Sequence, residues 1–355
     1  MKIKSNISYH KQTWLEKDKY LIFIGLFILV IVLFIMDVFL GSVNIKPADV
    51  IQSLFGSADK GLETIILKFR IPKALTALIV GIALSLSGLQ MQTVFRNPMA
   101  GPYVLGISSG ASLGVAFVIL GFSAQMSPAN IQGLGNWALV AASWLGAGLI
   151  MILIMFISMR VSDIMTVLIL GIMLSSGISA IVSIMQYFSN ETMLKAYVIW
   201  TMGSLGNLTS QQLQVLSVSV LFGVILTLIS VKMLNALLLG ENYATSIGLN
   251  IKFARLVIFA GTSILAGSVT AFCGPIGFIG IAVPHLARII FRTSDHKILV
   301  PATIFIGGGV MLLSDIISQM PGSDNVLPVN SVTSLVGIPV VIWVILRNRK
   351  FSGTF

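Results

Sequence analysis

Charge is what this chain has least of. Of its 355 residues only 10% are charged and 56% are hydrophobic, and the mean hydropathy is +0.99. A soluble domain carries about 25% charged residues, so a water-soluble fold is excluded. Cysteine occurs once, at Cys273, which rules out an internal disulfide and any multi-cysteine metal site. That residue reads as a small packing group near a span end. There is no His-Glu-x-x-His motif, no paired catalytic aspartates, no Ser/His pair and no Walker A sequence. Intramembrane hydrolysis therefore finds no constellation here, and nucleotide hydrolysis must come from another chain. The 16 methionines fall mostly within apolar runs, where Met is a pliable packing residue rather than a metal ligand. The net charge of +10 is spread between those runs instead of clustering on one face, which argues against nucleic acid as a partner.

What is present is a succession of apolar runs long enough to cross a bilayer, each needing roughly 20 residues. They fall near 20–40, 74–95, 103–121, 137–159, 164–188, 212–233, 254–273, 276–291, 298–317 and 331–346. The fold class expected is all-α and polytopic, with about ten transmembrane helices. The first run is too long for a signal-peptide core and no small-residue cleavage site follows it. The eighth is short and interrupted by Pro284-His285. No long linker or low-complexity stretch divides the chain. Residues 1–19 read as a cytoplasmic segment, 20–346 as one transmembrane domain and 347–355 as a cytoplasmic tail.

Orientation follows from the distribution of Lys and Arg. With the N-terminus inside, sixteen of the 22 basic residues lie in inner segments and six in outer ones. An even number of spans returns the C-terminus to the inside as well. Two outer segments have features of their own. Residues 44–70 place Val50, Ile51, Leu54 and Phe55 at helical spacing, as in a short helix lying on the surface. Residues 189–211 contain Tyr197 and Trp200, which suit an interfacial position. Both segments read equally as interface anchors or as a docking surface for an external partner.

The densest signal is the stretch from Arg70 to Ser112. Arg70-Ile71-Pro72-Lys73 opens an apolar span that carries Gly81, Ser85, Ser87, Gly88, Gln90 and Gln92. The span ends in Asn97-Pro98-Met99-Ala100-Gly101-Pro102, and a second Gly/Ser-rich apolar run follows at once. Lipid cannot satisfy broken backbone, so such a segment must be buried in protein or line a polar path. Pro98 removes a backbone donor and biases Asn97 away from helix. The Asn97 side chain can satisfy a group freed by the break, and Met99 can act as a flexible apolar plug. The turn reads as a gate element or as a plain connector.

Further along, Glu241, Ala244 and Gly248 define a short helix with a small face, ended by a glycine that can turn left-handed. Pro284-His285 can start or kink a helix, with the imidazole bonding a freed carbonyl, or can handle a metal or proton. His10 and His296 sit in polar inner segments and read as solvated. Asp37 and Asp315, both near span ends, are the only acidic candidates for the ion coupling of a secondary transporter or channel. For Asp315 helix-end solvation is an equal reading. Gly110 and Gly114 have the spacing of close helix packing.

Taken together, these motifs resemble the FecCD-type permeases of ABC importers for iron-siderophores, haem and cobalamin. They comprise Arg70–Lys73, Ser87–Gln92, Asn97–Pro102, Leu105–Ser112, the Glu241 loop, Gly274–Arg288, Asp295–Lys297, Leu299–Pro301 and Ser314-Asp315. The likeness runs from about residue 65 to 346. It implies a type II importer subunit in the cytoplasmic membrane that pairs with a second permease subunit, as a homodimer or with a close paralogue. It also implies two cytoplasmic ATPase subunits and an extracytoplasmic binding protein as partners. No cofactor or metal is expected on this chain, ATP being used by the ATPase. By the same resemblance Arg70 and Lys73 receive acidic residues of the binding protein. Asn97, Pro98 and Met99, with Ile164 and Met165, close the inner mouth, and Glu241, Ala244 and Gly248 couple to the ATPase. Some members carry an arginine at the outer end of the ninth span, where this chain has Gln319, so the docking pocket is expected to be less positive.

Overall fold

The computed structural model describes residues 3–41, 50, 52–53, 59–121, 128–161, 163–320 and 325–348. Of the expected surface helix, Ile51, Leu54 and Phe55 lie outside the described residues, as do the tail from 349 and the His10 side chain. The described chain is helical throughout, without strands. In chain order the helices are α1 (Ile3–Phe39), α2 (Lys60–Val94), α3 (Ile107–Ile119), α4 (Pro128–Arg160), α5 (Ile164–Tyr187) and α6 (Glu191–Thr201). They continue as α7 (Ser210–Leu238), α8 (Glu241–Ser246), α9 (Ile251–Cys273), α10 (Ile279–Phe291), α11 (His296–Ser318) and α12 (Val329–Asn348).

Seven of these are long and apolar enough to cross a membrane, and α3, α10 and α12 are shorter apolar helices. The ten coincide with the ten apolar runs in the sequence. Two differ in kind from a simple span. Helix α3 has 13 residues, about 20 Å at 1.5 Å per residue, and is reached through a 3₁₀ turn at Pro102–Leu105. Helix α2 starts well before residue 74. Residues 60–70, expected to lie along the surface, instead continue the spanning helix, with a π turn at Ile65–Arg70. A π turn admits one extra residue per turn and re-aims the side chains that follow. Val50 is buried against the core rather than spread on an interface.

Helix α2 is the centre of the bundle, and α11, α9, α10 and α7 pack around it. Its approach to α10 is set by Gly88, where a Cβ would overlap the Gly280 carbonyl. The same device joins α3 to α4, since a Cβ at Gly110 or Gly114 would meet the Gly146 or Ala142 carbonyl. Without a hydrophobic force between helices in lipid, such close approach supplies the packing energy. The polar residues of α2 are buried between helices. Gln90 accepts from the Thr262 hydroxyl on α9 at 2.5 Å and donates to Thr227 on α7 at 2.7 Å. Ser85 donates to Thr303 O on α11 at 3.0 Å. Helix α1 is peripheral and presents Leu21, Ile24, Phe27 and Ile28 outward, as a lipid-facing surface requires.

Two readings of side chains are corrected. Tyr197 is not an interfacial anchor. It is 3% exposed and packs with Val115, Ile119, Ile178 and Val182, because α6 lies against α3. His296 is not solvated. It is fully buried at the start of α11, between Thr93 Oγ1 at 2.8 Å and Asn235 Oδ1 at 2.7 Å.

The glycine contacts give a direct test. Gly88→Val should cost more than about 3 kcal/mol, the top of the usual overpacking range, because the obstacle is backbone rather than a movable side chain. Gly25→Ala, with nothing within 4 Å of the added carbon, should be neutral or slightly stabilising. Thermal unfolding of both variants in detergent measures this; equal Tm values would refute the close-contact role.

Candidate functional site

The side chains singled out by sequence gather in two places, at opposite ends of α2. Between Arg70 and Arg96 run the 24 residues of Ile71–Val94, about 36 Å of helix, somewhat more than a hydrocarbon core.

At the Arg70 end, Arg70, Lys73 and Gln319 line one pocket of about 240 Å³, with Gly41, Phe69 and Gly206. Arg70 is the last residue of the π turn, and its Nη1 donates to Val38 O at 2.9 Å and Phe39 O at 2.8 Å. These are among the last carbonyls of α1, which have no helical donor. Lys73 Nζ lies 3.0 Å from Asp315 Oδ1, with the aspartate completely buried. Gln319 Nε2 donates to Asp37 Oδ1 at 2.8 Å and to Asp315 Oδ2 at 3.0 Å. Asp315 is therefore not solvated at a helix end. It forms a buried polar cluster with Asp37 of α1 and Lys73 of α2. The pocket is less basic than Arg70 and Lys73 suggest, because Asp315 stands behind Lys73 and pairs with it. Asp37 and Asp315 stood out in the sequence as the two acidic residues near span ends, but not as neighbours. Nothing in the chain order signals that residues 278 positions apart share one amide.

At the other end, α8 is held from behind. Gly240 precedes it at φ 115, and Gly248 follows at φ 87. Leu249 N donates to Ala244 O at 3.0 Å and Gly248 N to Thr245 O at 2.9 Å, the double bond of a Schellman stop. Ala244 is fully buried. The Glu241 carboxylate takes both oxygens to Arg255 Nη2, at 2.7 and 2.9 Å. Glu241, Ala244 and Gly248 thus fix the helix to its own chain, while Leu239, Tyr243 and Ile247 are exposed by 66%, 48% and 57%. Only Tyr243 lies within α8; Leu239 precedes it across Gly240, and Ile247 follows its last residue.

Beside α8 stand both segments expected to close the inner mouth. A pocket of about 450 Å³ is lined by Arg96, Asp163, Ile164, Met165, Glu241 and Tyr243, among others. Asn97 Oδ1 accepts from Met99 N at 2.9 Å, so the side chain does satisfy a donor at the break. The Pro98 carbonyl lies 2.7 Å from His285 Nε2, and Met99 is 41% exposed. The imidazole therefore serves the turn rather than the kink of its own helix. Gln92 does the latter. Its Nε2 donates to Ile281 O at 3.1 Å and lies 3.5 Å from Gly280 O, the carbonyl that Pro284 leaves without a helical donor. Ile164 and Met165 begin α5, which Asp163 caps by accepting from Met165 N and Thr166 N. The Thr166 hydroxyl and these amides hold the Asp163 carboxyl below the usual range. Among the described residues no group of three His, Cys, Asp or Glu could hold a metal.

The buried pair is testable by a double-mutant cycle. Lys73→Met alone should destabilise the protein by roughly 3–5 kcal/mol, since it strands a buried carboxylate. Adding Asp315→Leu should recover most of that loss. Additive effects of the two changes on Tm would mean that the pair does not interact.

Residues 29–347 match the model of the FecCD transport family. The vitamin B12 import system permease protein BtuC of Klebsiella pneumoniae is 34% identical over 326 residues, covering 92% of this chain and 93% of that one. The hemin transport system permease protein HmuU of Yersinia pestis is 35% identical over 286 residues, covering 80% and 84%. A metal-chelate type ABC transporter solved in an inward-facing conformation superposes with a TM-score of 0.80 at 28% identity, covering 92% of this chain and 99% of that one. The chain belongs to the FecCD transport family, whose members are the membrane permease subunits of ABC importers and not enzymes.

Proposed function

We propose that this chain is one half of a dimeric importer of the cytoplasmic membrane, with both termini inside, that carries an iron chelate inward, a ferric siderophore in the first instance. A second copy completes the path, two separate ATPase subunits drive it, and a binding protein delivers cargo at the Arg70 end. One observation carries the reading: exposed apolar side chains, Tyr243 on a short helix pinned from behind and Leu239 and Ile247 just outside its two ends. A helix free to splay could not transmit force, and one without an apolar face would have little to dock with. The Arg70 pocket supports delivery at the other end, with Arg70, Lys73 and Gln319 offering donors to incoming carboxylates. The named cargos of the relatives, vitamin B12 and hemin, are both large metal chelates, and siderophore complexes share that size and chemistry.

The competing mechanism is transport driven by an ion gradient. Such proteins hold ionisable groups within the membrane for coupling. Here Asp37, Asp315 and Lys73 are engaged with one another and with Gln319 at a helix end.

Reconstitution with the cognate ATPase separates the two mechanisms. Uptake of radiolabelled ferric siderophore should require ATP and be unaffected by a proton ionophore. Ile247→Asp should reduce ATPase retention at least tenfold and stop uptake. Uptake that persists without ATPase and collapses with the ionophore would overturn the importer reading, and uptake of haem or cobalamin alone would move the cargo. The closing role of the Asn97–Met99 turn has its own test. Met99→Cys, with Cys273 replaced by Ala, should cross-link between the two subunits in one nucleotide state only. Cross-linking in all states, or in none, would leave the turn as a connector.

A further inference from the structure

Two arginines tie α8 and its approach to the two segments that stand at the same mouth, one arginine to each. Arg255, the fifth residue of α9, has a side chain 4% exposed. Its Nη2 holds the Glu241 carboxylate, and its Nη1 donates to Val161 O at 3.1 Å. Val161 follows the last residue of α4 and stands two residues before Asp163, the cap of Ile164 and Met165. One planar guanidinium therefore bridges α8 and the α4–α5 corner. A fork of donors can hold two acceptors in fixed relation, as a single ammonium cannot.

Arg96 makes the second link. Its Nε and Nη2 both lie 3.3 Å from Leu237 O, four residues before Glu241, and a Cβ at Gly240 would press on its Nη2. Arg96 has φ 46, a left-handed conformation unusual for a residue with a side chain. That backbone aims the guanidinium back at α7 while the chain runs on into Asn97-Pro98-Met99. The two links share no side chain.

We propose that Arg255 and Arg96 are positioning residues that pass movement of α8 separately to the two closing segments, Arg255 to Ile164 and Met165, and Arg96 to Asn97–Met99. The proposal rests on the reading of α8 as the ATPase contact. It adds that coupling is divided: either segment can be disconnected while the other still answers.

The test uses the assembled transporter, with its ATPase, in nanodiscs and in a Cys273→Ala background. Met165→Cys and Met99→Cys each report the maleimide labelling rate with and without bound ATP. With both arginines present, each rate should differ several-fold between the two states. Arg255→Gln should abolish the difference at Met165→Cys and leave it at Met99→Cys, and Arg96→Gln should do the reverse. Arg255→Gln strands a carboxylate, so Arg255→Gln with Glu241→Gln serves where the single variant misfolds, with the same outcome expected. If either arginine variant leaves both responses intact or flattens both, the division of coupling is wrong. The same holds if neither rate changes in the parent. Tyr243→Cys cross-linking to the ATPase tells the two failures apart. Its loss in the parent transporter would overturn the α8 reading and this inference with it, whereas its retention beside an unchanged labelling pattern would overturn this inference alone.

Discussion

The end of a helix in a membrane protein is the constraint on which this structure turns. The last four carbonyls of any helix have no donor of their own, and hydrocarbon offers none. At three such ends an arginine from another element donates, at the end of α7 alongside the Gly240 N–H. Arg70 serves Val38 and Phe39 at the end of α1, Arg96 serves Leu237 at the end of α7, and Arg255 serves Val161 at the end of α4. A guanidinium suits the task because it is always charged, carries five donors, and meets the negative end of the helix dipole. Each repair also makes a connection, since the arginine belongs to a different part of the chain from the carbonyls it serves. The residues that sequence reading marks as functional, or their direct neighbours, are the ones that close these ends.

The two ends of the bundle solve the problem differently. At the Arg70 end Lys73 is paired with Asp315 and Gln319 ties that pair to Asp37, so the pocket presents donors with part of its charge already answered. At the Glu241 end the arginine contacts are to single carbonyls and one carboxylate, close to segments whose helices stop and restart within a few residues. The first arrangement is a compact knot between α1, α2 and α11. The second is a set of joints between α4, α7, α8 and α9, around a pocket with exposed side chains.

Much of the fold was legible in the chain. Ten apolar runs became seven long and three short apolar helices, because length and hydropathy are sufficient in lipid. The local devices were legible too: Gly248 stops α8 left-handed, Asn97 Oδ1 answers the break at Pro98, and Gly110 and Gly114 bring α3 against α4. What sequence did not yield were the partners across the bundle. His296 looked solvated because Asp295 and Lys297 flank it, yet Thr93 and Asn235 enclose it. Tyr197 looked like an anchor until α3 was laid beside it. The Glu241–Arg255 bond and the Asp37–Gln319–Asp315 cluster join residues on different helices, and no periodicity within one helix encodes that.

Helix α2 also has a history that its finished surroundings conceal. Its polar groups find partners late in the chain: Ser85 at Thr303, Gln92 at Arg288, Thr93 at His296 and Lys73 at Asp315. Those residues are made some 200 positions afterwards, about 10–40 s at the usual speed of synthesis. For that interval the central helix has left the ribosome while the groups that will bury Lys73, Gln92 and Thr93 do not yet exist. It must spend the wait somewhere wetter than the lipid interior, at the insertion machinery or along the interface. The helix around which the rest is organised is thus among the first to be made and among the last to be settled.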